Sequence, residues 1–481
     1  MSQTKCLHLC LHAISKPVSY GRRVSSFPKR PDTNPLGLIF LKRFLVFVCM
    51  ALFVSADVAT ADEVIPNDPP LRWWKGNIHT HTFWSDGNDF PEMVAEWYRT
   101  HGYNFLALSD HNIMSLGDKW IGQAAMIKRL GADAYQPALD NYFARFGRHW
   151  VETRGEPGTE TFEVRLQPLD EFRALVEQRG EFIMMPGEEI TDNVEGAPVH
   201  MNATNLQETI QPLSGSTIRE AIAANLRAVE QQARRTGREI LTHVNHPNYE
   251  YAITPEDLAA VFQERFVEVF NGHPSVNHQG DDLHPGVERM WDIANTIRLD
   301  RTDTPPLYGI ATDDSHEYHG ADNSASRPGR GWIVVRARHL TPTRIIRAIR
   351  RGDFYASNGV VLQDVNWDES TGELQVTIKP EEDVRYKTQF IGTPAGIDTL
   401  SWPMIDDQGQ PMEGLREYAP EIGQVLATQE GLTATYRLTG NELYVRAVVT
   451  STKPHERPSF EQQTEQAWTQ PVGWAGRVES K

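Results

Sequence analysis

Residues 75–87 read KGNIHTHTFWSDG, in which a short apolar run leads into two histidines and an acidic turn. We predict a strand over residues 78–81, because imidazoles at positions i and i+2 of a strand point to one face and can reach one ion. Asp86 follows in a Ser-Asp-Gly turn that can bring its carboxylate back towards His79 and His81. An H-x-H pair alone also occurs by chance on a surface, so this motif needs partners elsewhere in the chain.

Further groups of His, Asp and Glu follow other predicted strands. They are Ser109-Asp110-His111-Asn112, Pro186-Gly187-Glu188-Glu189-Ile190-Thr191 with His200, His243-Val244-Asn245-His246-Pro247, and Thr312-Asp313-Asp314-Ser315-His316. Each group alone could be a buried structural histidine or a solvated turn. Active sites of α/β proteins lie at the carboxyl ends of strands, and neutral imidazole with carboxylate suits Zn, Mn or Fe. The recurrence therefore predicts a metal centre with two or three divalent ions.

Between these groups, apolar strand-like runs alternate with helical patterns. Strands are predicted at 105–108, 182–185, 240–242, 266–270, 307–311 and 332–335, and helices at 91–101, 169–178, 217–235, from 254 onward and at 341–351. Such alternation indicates an α/β fold with parallel strands, in a barrel or a doubly wound sheet.

Two regions depart from this alternation. Residues 116–169 carry helical patterns with many aromatic residues, and we interpret them as an insertion or lid. Its aromatic residues would form either an apolar substrate pocket or a simple core; they are Trp120, Tyr135, Tyr142, Phe143, Phe146 and Trp150. Beyond residue 359 the pattern becomes strand-like without helices, which predicts a small β-sandwich-like C-terminal domain at 360–476 after a main domain at 71–359.

The first 61 residues have the layout of a secretory signal. The apolar run FLVFVCMALFV at 44–54 follows Lys42-Arg43 and precedes Ala59-Thr60-Ala61, so we predict cleavage after Ala61 and export to the periplasm or the extracellular space. The alternative is a retained anchor, but the run is shorter than the roughly 20 residues that span a bilayer. We therefore expect no stable membrane insertion once the signal is removed.

The predicted cleavage changes the composition of the working chain. All three cysteines precede Ala61, which excludes thiolate metal sites, cysteine nucleophiles and disulfides from the mature protein. The full chain has a formal net charge of −17, and removal of a leader with a net charge of +6 leaves −23. Such acidity argues against a nucleic-acid polymer as partner and favours a small-molecule substrate.

In their order, the motifs resemble those of the PHP (polymerase and histidinol phosphatase) family. They are KGNIHTHTFWSDG, FLALSDHN, PGEEIT with His200, VNHP and TDDSH. Their spacing, with RRGDFYASNGV at 350–360 and AWTQPV at 467–472, is most similar to the exported carbaryl-hydrolase-like branch. The resemblance implies a distorted (βα)7-type barrel with a trinuclear centre at the strand ends. It assigns His79, His81, Glu189 and Asp314 to the first ion, His111, His200 and a shared Glu189 to the second, and Asp86, His246 and His316 to the third.

These features together predict an exported metal-dependent hydrolase, most closely a phosphoesterase in which a metal-bridging hydroxide attacks phosphorus. A carbamate or carboxylic-ester hydrolase using the same ions is the first alternative. A catalytically weak surface-binding module is the second. His319 is a candidate proton donor to the leaving group, although it also reads as an ordinary loop residue. His243 is the other candidate catalytic residue, positioned beside the ligands or in the core.

Overall fold

The computed structural model describes residues 68–320, 325–398 and 400–478. The predicted signal, its cleavage site after Ala61 and the three cysteines lie outside these residues. Among the described residues, no helix has the length and apolar character needed to cross a membrane.

Strands and helices alternate from the first described strand to about residue 357. In chain order they are β1 (Arg72–Asn77), α1 (Pro91–Thr100), β2 (Phe105–Leu108), β3 (Lys119–Gly122), α2 (Gln123–Leu130), α3 (Ala132–Phe146), β4 (Thr153–Arg154), β5 (Glu163–Leu166), α4 (Leu169–Val176), β6 (Ile183–Val194), β7 (Ala197–Thr204), α5 (Ile218–Thr236), β8 (Leu241–Val244), α6 (Pro255–Ala260), β9 (Phe266–Asn271), α7 (Val287–Arg301), β10 (Tyr308–Thr312), β11 (Trp332–Ala337), α8 (Pro342–Arg350) and β12 (Phe354–Ser357). The α/β class predicted from the alternation is therefore present.

Local sequence explains where the helices begin and end. Helix α1 begins at Pro91, whose missing N–H costs nothing in a first turn. Helix α5 begins after Thr217, whose hydroxyl accepts a hydrogen bond from Glu220 N at 3.2 Å, and ends at Gly237 in the left-handed conformation. Helix α7 was not predicted, because it is buried on nearly every face and so lacks an amphipathic period.

The strands form one large mixed sheet in the order β10-β9-β8-β7-β6-β2-β1-β11-β12, which then continues into the C-terminal region. Pairing is parallel from β1 through β2 to β6 and from β8 through β9 to β10. Strand β11 pairs antiparallel with both β1 and β12, against the expectation of parallel strands. That expectation is also wrong at β6–β7–β8, which pair antiparallel. The reason is a tight hairpin: β6 continues to Val194, and Glu195 (φ 53°) and Gly196 (φ 97°) supply the two positive φ angles of its turn.

The first predicted strand is also displaced. Strand β1 ends at Asn77, so residues 78–81 extend beyond it instead of forming it. Gly76 in this strand lies against the Phe105 ring, and a Cβ there would come within 2.1 Å of that ring. This close packing holds β1 on β2 and carries His79 and His81 to the edge of the sheet.

The insertion at 116–169 has a core of its own. It contains α2, α3 and a three-stranded sheet in the order β3-β5-β4. Five of the six aromatic residues named above pack in its apolar cluster together with Phe83 and Trp84, while Trp120 lies beneath Arg154. These five aromatic residues therefore form a packed core of the insertion and not an apolar substrate pocket.

The C-terminal region consists almost entirely of strands. They are β13 (Leu362–Asp368), β14 (Glu373–Ile378), β15 (Tyr386–Pro394), β16 (Ser401–Ile405), β17 (Pro411–Tyr418), β18 (Gln424–Glu430), β19 (Thr433–Arg437), β20 (Glu442–Pro454) and β21 (Thr464–Thr469), followed by α9 (Ala475–Val478). Strands β21, β20, β15 and β18 extend the large sheet beyond β12, and β13, β14 and β19 form a second sheet. From Asp68 onward the chain forms one compact unit. The boundary at 359/360 stays a prediction.

Candidate metal centre

Backbone hydrogen bonds tie the five motifs to one another beyond the strand ends. They run from Asp314 N to His79 O (3.0 Å), His81 N to Ser315 O (3.0 Å), Ser109 N to Thr80 O (2.9 Å), Asn112 N to Glu189 O (2.9 Å) and Asn245 N to His200 O (3.1 Å). Segments that are far apart in sequence are thereby held in register, and their polar side chains converge.

Asp110 organises the Ser-Asp-Gly turn that carries Asp86. Its Oδ1 accepts hydrogen bonds from Thr82 N at 2.8 Å and from Ser85 N at 2.9 Å. Gly87 is required by close approach, because a Cβ there would lie 2.6 Å from the carbonyl oxygen of His81. The turn therefore folds back over the H-x-H segment, as the sequence predicts.

Glu189 lies at the middle of the site and is almost fully buried. Its Oε2 lies 3.3 Å from His79 Nε2, 3.2 Å from His81 Nε2 and 3.0 Å from His111 Nδ1. Its Oε1 lies 3.1 Å from His200 Nδ1 and 3.4 Å from His246 Nε2. One carboxylate thus contacts five imidazoles, which places it to bridge adjacent cations.

Asp314 is the second shared carboxylate. Its Oδ1 lies 3.2 Å from His79 Nε2, 3.1 Å from His81 Nε2 and 3.6 Å from His316 Nδ1. Its backbone has a φ of 48°, which is unusual for a residue other than glycine and holds the side chain towards the histidines.

Asp86 completes the arrangement from the more exposed side. Its carboxylate lies 3.6 Å from His81 Nδ1, 3.6 Å from His111 Nε2 and 3.5 Å from His316 Nε2. These four residues form one of several overlapping groups whose donor atoms lie within 4.8 Å of one another. The other groups are His79–His246–Asp314, His79–His81–Glu189, His79–His243–Glu268 and His111–Glu189–His200.

The structure thus brings all nine predicted ligands together, but its groups differ from those that the resemblance implies, since His81 and His111 also lie with Asp86 and His316. His246 lies with His79 and Asp314, whereas the family resemblance assigns it to an ion with Asp86 and His316. The assignment of residues to individual ions stays a prediction.

The buried carboxylates and imidazoles of the site shift one another's pKa values. Burial alone would lower the pKa of His79, but Asp314, Glu189 and Glu268 raise it well above its usual value. His81 behaves likewise, because the nearby carboxylates of Asp314 and Glu189 outweigh burial and raise its pKa to about 10. Burial would raise the pKa of Glu189, but the histidines hold it well below its usual value.

Buried polar atoms without a hydrogen-bond partner indicate whether these residues suit a metal ion. His79 Nε2, His81 Nε2 and Glu189 Oε2 are buried and have no hydrogen-bond partner. His79 Nδ1 lies 2.7 Å from Glu268 Oε1, so in the neutral imidazole that a metal requires this nitrogen donates and Nε2 keeps its lone pair. Lone pairs on nitrogen and carboxylate oxygen that point at each other suit a shared divalent cation, and the residues therefore fit metal ions.

Glu268 is a functional residue that sequence reasoning missed. It is fully buried in β9 and accepts hydrogen bonds from Thr312 Oγ1 at 2.7 Å and from His246 N at 2.8 Å, besides contacting His79. The sequence feature that could have identified it is a single charged residue inside the otherwise apolar run FVEVF at 266–270. Asn245, whose amide donates to Glu189 Oε1 at 2.7 Å, was missed in the same way.

Three residues near the site have distinct places. Glu188 points away from the donors and accepts a hydrogen bond from Ile210 N at 2.7 Å. His243 is buried behind His79 with its Nε2 3.3 Å from Glu268 Oε1. His319 lies with its Nε2 3.1 Å from Asp89 Oδ2, outside the donor groups. The catalytic roles of His243 and His319 stay predictions.

A cavity of about 410 Å³ opens beside Asp86 and His316. His273 forms part of its wall, with its ring centre 5.5 Å from that of His316. Ser275 N donates to His273 Nδ1 at 3.2 Å, so Nε2 is the nitrogen of this ring that is left for other partners. His273 belongs to Asn-Gly-His-Pro at 271–274, which repeats most of the Asn-His-Pro motif and was not singled out from the sequence.

Comparison with known proteins gives a likeness in solved structures alone. No family model matches the chain, and no curated protein does. A two-domain protein from Bacteroides vulgatus that contains a predicted PHP-like metal-dependent phosphoesterase is 16% identical, with a TM-score of 0.35, over 78% of this chain and 97% of its own. A protein from Bifidobacterium adolescentis assigned as a metal-dependent phosphoesterase is 15% identical, with a TM-score of 0.25, over 52% of this chain and 89% of its own. Both likenesses are too low to transfer any residue's role to this chain.

Proposed function

We propose that this chain is an exported metal-dependent hydrolase of the PHP type and that it acts as a phosphoesterase. The observation that carries the proposal is Glu189 Oε2, a buried oxygen without a hydrogen bond that lies 3.0–3.3 Å from nitrogens of three histidines. A structural carboxylate in such a place would accept N–H hydrogen bonds, whereas a ligand keeps its lone pair for a cation.

The centre is proposed to hold two or three divalent ions of Zn, Mn or Fe. The overlapping donor groups share Glu189, His79 and His81, which favours adjacent ions over a single one. Such ions, when bound, lower the pKa of coordinated water towards ~7 and neutralise charge on a phosphoryl group.

The protein's own residues would orient the ligands and manage protons. Glu268 fixes the ring of His79, and His243 supports Glu268 from behind. His319 is the proposed proton donor to the leaving group, and its Nε2 lies 3.1 Å from Asp89 Oδ2. The proximity of His316 to the cavity supports a substrate position on the Asp86 side of the centre.

We propose that the alternating part is a distorted barrel of the (βα)7 type and that 360–476 is a small β-sandwich-like domain. Export, with cleavage after Ala61, is proposed from the sequence pattern at 42–61. Membership of the carbaryl-hydrolase-like branch rests on the resemblance of the motifs.

A carbamate or carboxylic-ester hydrolase is the second candidate. The acidic net charge of −17 favours it, because a negative protein repels anionic substrates. A catalytically weak binding module is the outcome to expect if metal binds without turnover of any substrate.

The test is to express the chain from Asp62, measure bound metal and assay a phosphomonoester, a phosphodiester, a carbamate and an aryl ester. His79→Ala is compared with the wild type. We expect at least two ions per chain, phosphoester turnover, and loss of both in the variant. Fewer than two ions would contradict the multinuclear centre, and turnover of the ester or carbamate alone would favour the second candidate.

A further inference from the structure

One arginine of the insertion reaches the cavity at the metal centre. Arg129, near the end of α2, lines the same cavity as Asp86, His273 and His316. The insertion is therefore not remote from the chemistry, since one of its cationic side chains forms part of the wall.

The position of Arg129 is fixed by the turn that carries Asp86. Its Nη1 donates to the carbonyl oxygen of Phe83 at 3.1 Å and lies 3.5 Å from that of Gly87, and the guanidinium lies over the Phe83 ring at 5.9 Å. These contacts use one nitrogen and leave Nε and Nη2 without a partner among the described residues. A guanidinium held in this way is pre-organised to bind with its free donors.

The guanidinium of Arg129 has no carboxylate of a described residue in direct contact. It makes no ion pair with any described residue, and burial lowers its pKa more than the nearby carboxylates of Asp86 and Asp110 raise it. Glu317, the other acidic residue of the wall, uses its Oε2 to accept a hydrogen bond from Ser326 N at 2.7 Å. A half-buried cation on a cavity wall that no carboxylate contacts directly is available to an anionic ligand.

We propose that Arg129 binds a non-bridging oxygen of the substrate's terminal phosphate, so that the insertion selects phosphate monoesters over neutral esters and carbamates. The proposal rests on the proposed function and names its substrate class. The free Nε and Nη2 match the spacing of two phosphate oxygens, a fit that a neutral ester or carbamate carbonyl cannot use.

The direct test is titration of the metal-loaded protein with inorganic phosphate in a calorimeter at fixed ionic strength. Arg129→Met and Arg129→Lys are compared with the wild type at equal metal content. We expect phosphate affinity to fall about 10–100-fold in Arg129→Met, as for loss of a charge-assisted hydrogen bond, and to recover partly in Arg129→Lys. Lys128→Met is the matched control, because it removes an exposed positive charge from the same helix.

Kinetic measurements distinguish a role of Arg129 in substrate binding from a role in stabilising the turn that carries Asp86. For an aryl phosphate monoester, KM should rise in Arg129→Met, while turnover of a neutral aryl ester, where present, stays unchanged. Equal phosphate affinity in the wild type and Arg129→Met would overturn the proposal, and so would a loss of metal with a uniform loss of all activities. If the wild type turns over no phosphoester, the proposed function fails on its own, and the phosphate titration still decides whether Arg129 binds the anion.

Discussion

Two buried polar clusters of this molecule are built on opposite principles. In the first, Asp292 of α7 accepts hydrogen bonds from Tyr444 Oη at 2.6 Å and from Arg446 Nε at 2.9 Å, and its other oxygen lies 2.7 Å from Arg446 Nη2. In the second, Glu189 Oε2 has histidine nitrogens around it and no hydrogen bond. The first cluster contains its own cation, and the second leaves donor atoms for one.

The difference follows from the cost of burying charge. A buried carboxylate needs a cation, hydrogen bonds or a proton to offset lost hydration. Asp292 has an arginine, whereas Glu92 has none, and burial raises its pKa to about 7. Glu189 and Asp314 are held ionised among histidines, which is the arrangement that divalent ions replace.

The largest effect is expected at Glu189. Glu189→Gln removes the shared charge, so we expect loss of bound metal and loss of activity to background. Metal analysis and turnover measure this, and a chelator should lower the Tm of the wild type while leaving that of the variant nearly unchanged. Glu188→Gln is the control, because Glu188 lies outside the donor groups. Loss of metal in this control as well would contradict the choice of Glu189.

A large loss of stability without loss of metal is expected at Asp292. Asp292→Asn leaves the buried guanidinium of Arg446 unpaired, which costs about 3–5 kcal/mol in the free energy of unfolding. Urea denaturation measures this loss. Glu288→Gln breaks the more exposed contact to the same arginine at 3.3 Å and should cost less than about 1 kcal/mol. A fall in metal content in Asp292→Asn would show that the two clusters are coupled.

A pH-dependent effect is expected at Glu92, which accepts hydrogen bonds from Tyr142 Oη at 2.7 Å and Trp150 Nε1 at 2.9 Å. Burial raises its pKa from 4.5 to about 7, so its folded state holds the proton longer than its unfolded state. Its contribution to stability is therefore present below pH ~4.5 and falls as pH rises, levelling off above ~7.

The matching variant is Glu92→Gln, which cannot ionise. Relative to the wild type, it should gain on the order of 3 kcal/mol in unfolding free energy between pH 4 and pH 8. Denaturation at a series of pH values measures the difference. A difference that does not change with pH would show that Glu92 ionises normally.

The smallest effect is expected at Glu268. This residue orients His79, but it is not one of the two carboxylates, Glu189 and Asp314, that several histidines share. Glu268→Gln should weaken metal affinity about 10–100-fold, because the ring of His79 loses its charged acceptor. Competition with a chromogenic chelator measures the affinity. An affinity equal to that of the wild type would mean that Thr312 and Asn271 hold the amide equally well in place of the carboxylate.

Sequence patterns predicted the bounds of helices and strands better than the pairing of the strands. Strand β2 has the predicted bounds, and helix α5 differs from its prediction by one residue at each end. The β6–β7 hairpin was missed because its first strand contains Pro186 and several charged residues, which do not look like one strand of 12 residues. Helix α7 was missed because burial on all sides erases the helical period.

For the site, the chain itself determined which donor types follow the strands, because histidine and carboxylate at strand ends recur in recognisable motifs. The tertiary structure decided how those donors are shared. Only the backbone bonds between motifs place Glu189 among five imidazoles, and only the packing of β9 puts Glu268 behind His79. Arg129 shows the same division, since its contact with the cavity depends on the docking of the insertion on the Asp86 turn. Local pattern encodes the chemical type of a side chain, but distances between remote segments depend on how the sheet brings them together.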